Sequence, residues 1–442
     1  MNRLLTLAIL VGVTQAIVAM GDGYVGPGGE AMLLGFLVLA AFLAGRASSA
    51  VELPQITGFL ILGIVVGPHA LGLLPRMAVE DFRLINGGAL SLIALTAGGE
   101  LRLSSVRERL PSILSILAIQ SALVFAVVLA AVYWGRRFVP FLEGSPPRAA
   151  LAVGLLFGLV AVAKSPATTI AVITEERARG VLTRTVLGIT VVKDVVVLVL
   201  IALLIPLAAV IADPGTSFGF DTLWEVLRSI GLSVLAGLLV GWILARYLRT
   251  IGGYPVLVVL SAAFLLVILS ERFGLEYILI AMAAGFYVQN FSRQGAPFLR
   301  ALEANSLPVY ALFFAVAGAD LRIDVLGGVW VITAILVALR AAGLWLGTWV
   351  GAVATADPES IRRYAWMGFL AQAGVTLGVA NIIRDRFPHW GTDVATVIVA
   401  MIAVNQLVGP PAFRFALVRA GESRKKASTP LRLRHAESPG TA

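Results

Sequence analysis

The stretch "GITVVKDVVVLVL", residues 188–200, sets Lys193 and Asp194 side by side inside an otherwise apolar run. That run belongs to a longer apolar segment, 184–211, which exceeds the ~20 residues needed to cross a hydrocarbon core about 30 Å thick. Asp194 lies ten residues beyond Arg184, roughly 15 Å at 1.5 Å per residue, and therefore near mid-depth. A carboxylate at that depth is costly and is expected to face the bundle interior or a water-filled cavity. Two readings follow: a titrating, ion-binding carboxylate, or half of a structural salt bridge. No other acid lies deep in an apolar segment, since Glu100, Glu271 and Asp320 stand at segment ends.

The rest of the chain has the same character. Its 442 residues are 59% hydrophobic and 13% charged, against about 25% charged in a soluble domain. Apolar segments read at about 3–20, 30–50, 55–73, 84–101, 111–134, 149–173, 184–211, 223–247, 255–271, 275–291, 305–319, 327–352, 364–383 and 393–417. The fold class is an all-α polytopic membrane protein with about 13–14 transmembrane helices. There is no cysteine, and His69, His389 and His435 are too scattered for a metal cluster. No nucleophile–histidine pair or phosphate loop is present, so neither an enzyme nor a cofactor is expected. The net charge of +9 comes from membrane-edge arginines and the tail, and calls for no nucleic acid.

Residues 1–21 fit an extra transmembrane helix or a signal peptide. A retained helix is preferred, because an even count then puts both termini on one side. The arginines of the loops on that side, including Arg102, Arg107, Arg109, Arg177, Arg179, Arg184, Arg362 and Arg363, mark it as cytoplasmic. The expected location is the cell (inner) membrane, with a basic tail, 420–442, whose composition predicts disorder.

An internal repeat organises the rest. Ala97-Gly98-Gly99-Glu100-Leu101-Arg102 aligns with Ala317-Gly318-Ala319-Asp320-Leu321-Arg322. "GFLILGIVVG" (58–67) and "ILIAMAAGFYV" (278–288) are weakly alike at the same offset of seven segments. An odd offset means that the copies cross the membrane in opposite senses. The expectation is two inverted-topology six-helix repeats, with one extra helix before them and a linking helix, 223–250, between them. Such repeats mark secondary transporters, which bind substrate near the midplane where the copies meet.

Lysine usage sharpens the reading. Of the four lysines, Lys425 and Lys426 are in the tail, whereas Lys164 and Lys193 lie within apolar segments. Lysine can lose its proton when desolvated; arginine effectively cannot. Lys164 opens "KSPATT", in which Pro166 breaks the helical ladder and Ser165, Thr168 and Thr169 offer hydroxyls to freed backbone groups. An interrupted helix is expected there. A second is expected in 367–383, where Gln372, Gly374, Thr376 and Gly378 loosen the apolar run. Arg340 at mid-depth reads either as a fixed counter-charge or as a scaffold residue bonding broken-helix carbonyls. Asn405 and Gln406 add amides to the last segment. Neighbouring helix residues point about 100° apart, so Lys193 cannot squarely share a target with Asp194. A partner from another helix is expected, with Lys164 and Arg340 as candidates. Three deep bases against one deep acid imply that Lys164 or Lys193 is neutral for part of any cycle.

On these motifs the chain resembles the monovalent cation:proton antiporters, the bacterial sodium/proton exchangers and potassium-efflux systems with an NhaA-like fold. The likeness spans roughly 30–420. It is carried by "LPQITGFLILGIVVGPHALGLL" (53–74), "SPATTIAVITEERARGVLTRTVLGITVVKD" (165–194), "AQAGVTLGVA" (371–380) and "NQLVGPPAFRFALVRAGE" (405–422). The resemblance implies a moving core domain (109–212 and 327–419), a static scaffold and dimerisation domain (30–104 and 255–323), crossing interrupted helices and a homodimer. It also implies alternating access, with Asp194 as the essential carboxylate and Ser165-Pro166 at the first crossover. Lys193 and Lys164 depart from the family pattern, which has polar or small residues at these places. The reading is a Na⁺ or K⁺:proton antiporter, with a monovalent cation at Asp194 and Lys193, Lys164, Ser165, Thr168, Gln372 and Arg340 around it. Pro166 and Gly374 mark the helix breaks. The alternative is an anion or small organic acid transporter that uses Lys164 and Lys193.

Overall fold

A computed structural model describes residues 27–213, 220–250, 255–304, 306–323, 325–372 and 375–424. The first apolar segment, Gly374 and the tail beyond Arg424 lie outside the described residues. The elements are, in order, α1 (Pro27–Ala50), α2 (Gln55–Val66), α3 (Arg76–Asp81), α4 (Arg83–Glu100), α5 (Leu103–Trp134), α6 (Pro147–Val162), α7 (Pro166–Glu176), α8 (Val181–Ala212) and α9 (Phe220–Thr250). There follow α10 (Pro255–Phe273), α11 (Tyr277–Phe291), α12 (Gly295–Ala304), α13 (Ser306–Ala319), α14 (Leu326–Ala354), α15 (Glu359–Tyr364), a 3₁₀ turn (Ala365–Phe369), α16 (Val375–Arg386) and α17 (Gly391–Arg419). Among the described residues every regular element is helical. Seven spans are long and apolar enough to cross a membrane, with the broken pair α6–α7 counted as one. The apolar helices α2 and α11 are shorter, at 12 and 15 residues.

The broken pair is the most enclosed of the long spans, 94% buried, whereas α9 is the most peripheral at 17%. The sequence therefore places its least helical membrane segment at the centre, where neighbours can satisfy freed backbone groups. Large apolar side chains such as Leu39, Leu235, Leu239, Leu265 and Ile335 point outwards, as suits a lipid-facing surface. The stretch 292–304, which falls between two of the apolar segments, contains α12. Pro297 sits in its first turn, strong helix formers follow, and Phe298 and Leu302, one turn apart, bury together.

Helix contacts are set by glycine. On α14, Gly343, Gly347 and Gly351 face the α5 backbone at Val124, Gln120 and Ile116, and a Cβ at Gly347 would lie 2.5 Å from the Gln120 Cα. This small-residue stripe lets the two backbones close up. Elsewhere α2 meets α13 at Gly63–Ala315 and Gly318–Leu60, and α4 meets α11 at Gly285–Leu95 and Gly98–Met282.

The chain after α17 is tied down at its start. The Glu422 carboxylate accepts from Leu182 N (2.7 Å), Thr183 N (2.8 Å) and the Thr183 hydroxyl (2.7 Å), closing orphan donors at the start of α8. The predicted disorder of the tail therefore does not extend to residues 420–424. Glu422→Ala is expected to remove about 1–2 kcal/mol of stability, as loss of a helix cap does. A thermal melt of the detergent-purified protein measures this, and an unchanged transition would refute the cap.

Candidate functional site

The first break follows from three residues. Helix α6 ends at Val162, Ala163 to Ser165 are extended, and Pro166 occupies the first position of α7. The Ser165 side chain caps α7 by accepting from Thr168 N (3.3 Å) and lies 2.9 Å from the Thr168 hydroxyl. The second break runs from the 3₁₀ turn through Leu370, Ala371 and Gln372 towards α16. The two breaks touch directly: Ser165 N donates to Ala371 O at 2.8 Å. The Thr169 hydroxyl reaches Gly368 O at 3.0 Å.

Two breaks at depth leave carbonyls that have lost their helical donors and cannot find water. Arg340, fully buried on α14, answers both. Its Nε donates to Ala161 O (3.0 Å), and one terminal nitrogen donates to Ala163 O and Phe369 O (2.9 Å each). The other donates to Leu370 O (2.7 Å) and lies 3.4 Å from Asn405 Oδ1. The planar fork of donors suits this bridging, and its charge faces the negative ends of helix dipoles. Of the two roles open to Arg340 in the sequence, its bonds are those of the scaffold residue. Gln372 repeats the bridging, donating to Val160 O (2.7 Å) and Ala163 O (3.2 Å) while accepting from Asn405 Nδ2 (2.9 Å). Gln406 Nε2 donates to the Thr168 hydroxyl (3.0 Å).

The lysines are placed otherwise than expected. Lys164 Nζ donates to the hydroxyls of Thr190 (2.6 Å) and Thr169 (3.1 Å). Lys193 turns towards α5 and donates to Gln120 Oε1, whose amide donates to the Thr348 hydroxyl (2.6 Å). Lys193 is fully buried, yet Asp194 next to it is only partly buried. Among the described residues Asp194 has no hydrogen bond or ion pair, so neither Lys164 nor Arg340 is its expected bonded partner. Lys164 and Lys193 are the charges whose fields reach it. The arrangement is a partly buried, unbonded aspartate on α8, overlooked by two ammonium groups that are bonded elsewhere. Such a group can hold either a proton or a small cation.

Sequence reasoning missed Gln120, Thr190, Thr348 and Phe369. Thr190 was within reach, being three and four residues before Lys193 and Asp194 and so on the same side of α8. Gln120 carried a weaker signal, as one amide in the apolar segment 111–134.

Comparison with known proteins bears on this geometry. The family model for the sodium/hydrogen exchanger transmembrane region matches residues 36–419. The chain belongs to the sodium/hydrogen exchanger family. Membership supports exchange of a cation for protons across a membrane, and makes this exchanger a transporter rather than an enzyme. Its fold is similar to that of the sodium proton antiporter MjNhaP1 from Methanocaldococcus jannaschii at pH 8. The TM-score is 0.67 at 17% identity, covering 90% of this chain and 99% of that one. An electron-microscopy structure of the same antiporter gives a TM-score of 0.65 at 19% identity, with 92% and 98% covered.

Proposed function

We propose that this exchanger is a proton-coupled antiporter of Na⁺ or K⁺ in which Asp194 alternates between a proton and the cation. The observation that carries the reading is Asp194 itself, partly buried and unbonded among the described residues, on the helix beside the crossing breaks. Lys164 and Lys193 supply internal counter-charge and yield it when the cation arrives. Exchange is one proton per cation if Asp194 titrates alone, and more if a lysine also deprotonates.

Motion follows the domain division inferred from the sequence. The core, 109–212 and 327–419, slides against the scaffold, 30–104 and 255–323, giving alternating access; 223–250 links them, and the protein works as a homodimer in the cell (inner) membrane. The glycine contacts support the inverted repeat. By the alignment Gly98 corresponds to Gly318, and each meets a carbonyl of the short helix in the opposite copy, Met282 and Leu60. Polar contacts between core and scaffold gather at one end, cytoplasmic in the proposed orientation. There Gln55 N donates to both Glu175 oxygens (2.7 and 3.0 Å) and Arg414 reaches Glu52 O. These bonds break and re-form as the core moves.

The buried lysines favour a second reading, transport of an anion or small organic acid at the N-terminus of α7. Reconstitution in liposomes with an imposed pH gradient separates the two. The first reading predicts that Na⁺ or K⁺ dissipates the gradient; dissipation by anions alone would overturn it. Lys164→Met sharpens the comparison. Apparent cation affinity is expected to hold or improve, whereas the anion reading requires the substrate affinity to fall. Lys193→Arg, which cannot deprotonate, is expected to cripple exchange, and a fully active variant would show that Lys193 need not lose its charge.

A further inference from the structure

Phe369 is the last residue of the 3₁₀ turn in the second broken segment, and its side chain is fully buried. Its ring faces two cations from different elements. Lys193 Nζ of α8 lies 5.3 Å from the ring centroid, and Lys164 Nζ, from the first break, lies 5.9 Å from it. Both distances fall inside the ~6 Å over which the negative face of an aromatic ring attracts an ammonium group. Arg340 anchors the backbone that carries the ring through the Phe369 carbonyl at 2.9 Å, and the ring itself is fully enclosed by its neighbours. Among the described residues Asp194 is the acid whose field acts on both lysines, and neither lysine is bonded to it.

We propose that Phe369 is a positioning residue whose ring holds the Lys164 and Lys193 ammonium groups off Asp194, leaving the carboxylate open to the exchanged cation. The physical reason is competition. A buried ammonium group needs compensation, and here it is met by hydroxyls, one amide and the ring. When the ring's share is weakened, the remaining source is the Asp194 carboxylate, and an ammonium group paired there excludes the incoming cation. The inference deepens the antiporter reading and rests on Asp194 as the exchanging group.

The test is a series at position 369 with phenylalanine, 4-fluoro-, 3,5-difluoro- and 3,4,5-trifluorophenylalanine. Each fluorine withdraws charge from the ring face at nearly constant volume. Proteoliposomes with an imposed pH gradient report the apparent KM for Na⁺ and K⁺. The expected result is a stepwise rise in log KM along the series, reaching about tenfold at trifluoro, with the maximal rate little changed. Residue 369 acting by shape alone predicts a flat series, and a flat or falling KM overturns the proposal. Phe369→Leu, which removes the ring, should match or exceed the trifluoro variant wherever a thermal melt shows it folded. Asp194→Asn measured alongside separates the two failures. If it still exchanges cations, the antiporter reading fails; if it is inactive while the fluorinated series is flat, only the role of Phe369 fails.

Discussion

Asp194→Asn is expected to reduce cation-driven proton movement in proteoliposomes to the level of protein-free vesicles while leaving the protein folded. Asparagine has nearly the same shape, and Asp194 bonds to nothing among the described residues, so packing loses little. Function loses the charge that the cation requires. At about 4 Å and an effective dielectric of about 20, that charge is worth on the order of 4 kcal/mol, roughly a thousandfold in occupancy. Asp194→Glu keeps the charge but moves it by a methylene, and should retain part of the activity. Size-exclusion profiles and melts matching the wild type, beside absent exchange, are the expected pattern.

The second large effect is structural. Arg340→Ala leaves the carbonyls of Ala161, Phe369 and Leu370 without this donor, and Ala163 O with Gln372 alone. Each unsatisfied buried carbonyl costs about 1–3 kcal/mol. Even with partial relaxation the loss should reach about 3–5 kcal/mol, enough to abolish a monodisperse, cooperatively melting preparation. Arg340→Lys should be intermediate, because a compact ammonium group cannot bridge two breaks as a planar fork does. An Arg340→Ala protein of normal thermal stability but no exchange would move Arg340 from scaffold to ion site.

Both predictions depend on residues that the sequence singled out, though with unequal detail. The break was legible: Pro166 after Lys164-Ser165 announced it, and it is present at 163–165. Direction was not. Nothing in the residues around Lys193 says that it turns towards α5, because its partner Gln120 packs there against a glycine on a third helix, Gly347 of α14. Arg340 was ambiguous for a related reason. A buried cation can serve a carboxylate or a set of carbonyls, and the choice depends on how the two breaks are stacked. Phe369 gave no signal at all, since a phenylalanine in an apolar run reads as packing until two ammonium groups are found on its ring.

The exchange of a proton for a cation at one carboxylate can be measured without transport. Purified protein in weakly buffered detergent solution, near the pH at which exchange is half-maximal, is titrated with NaCl or KCl against choline chloride while pH is followed. Competition at Asp194 predicts saturable proton release by one of the two cations, up to the fraction of Asp194 protonated at that pH when it titrates alone, and none from Asp194→Asn. Cation binding without proton release, or release that persists in Asp194→Asn, would contradict it.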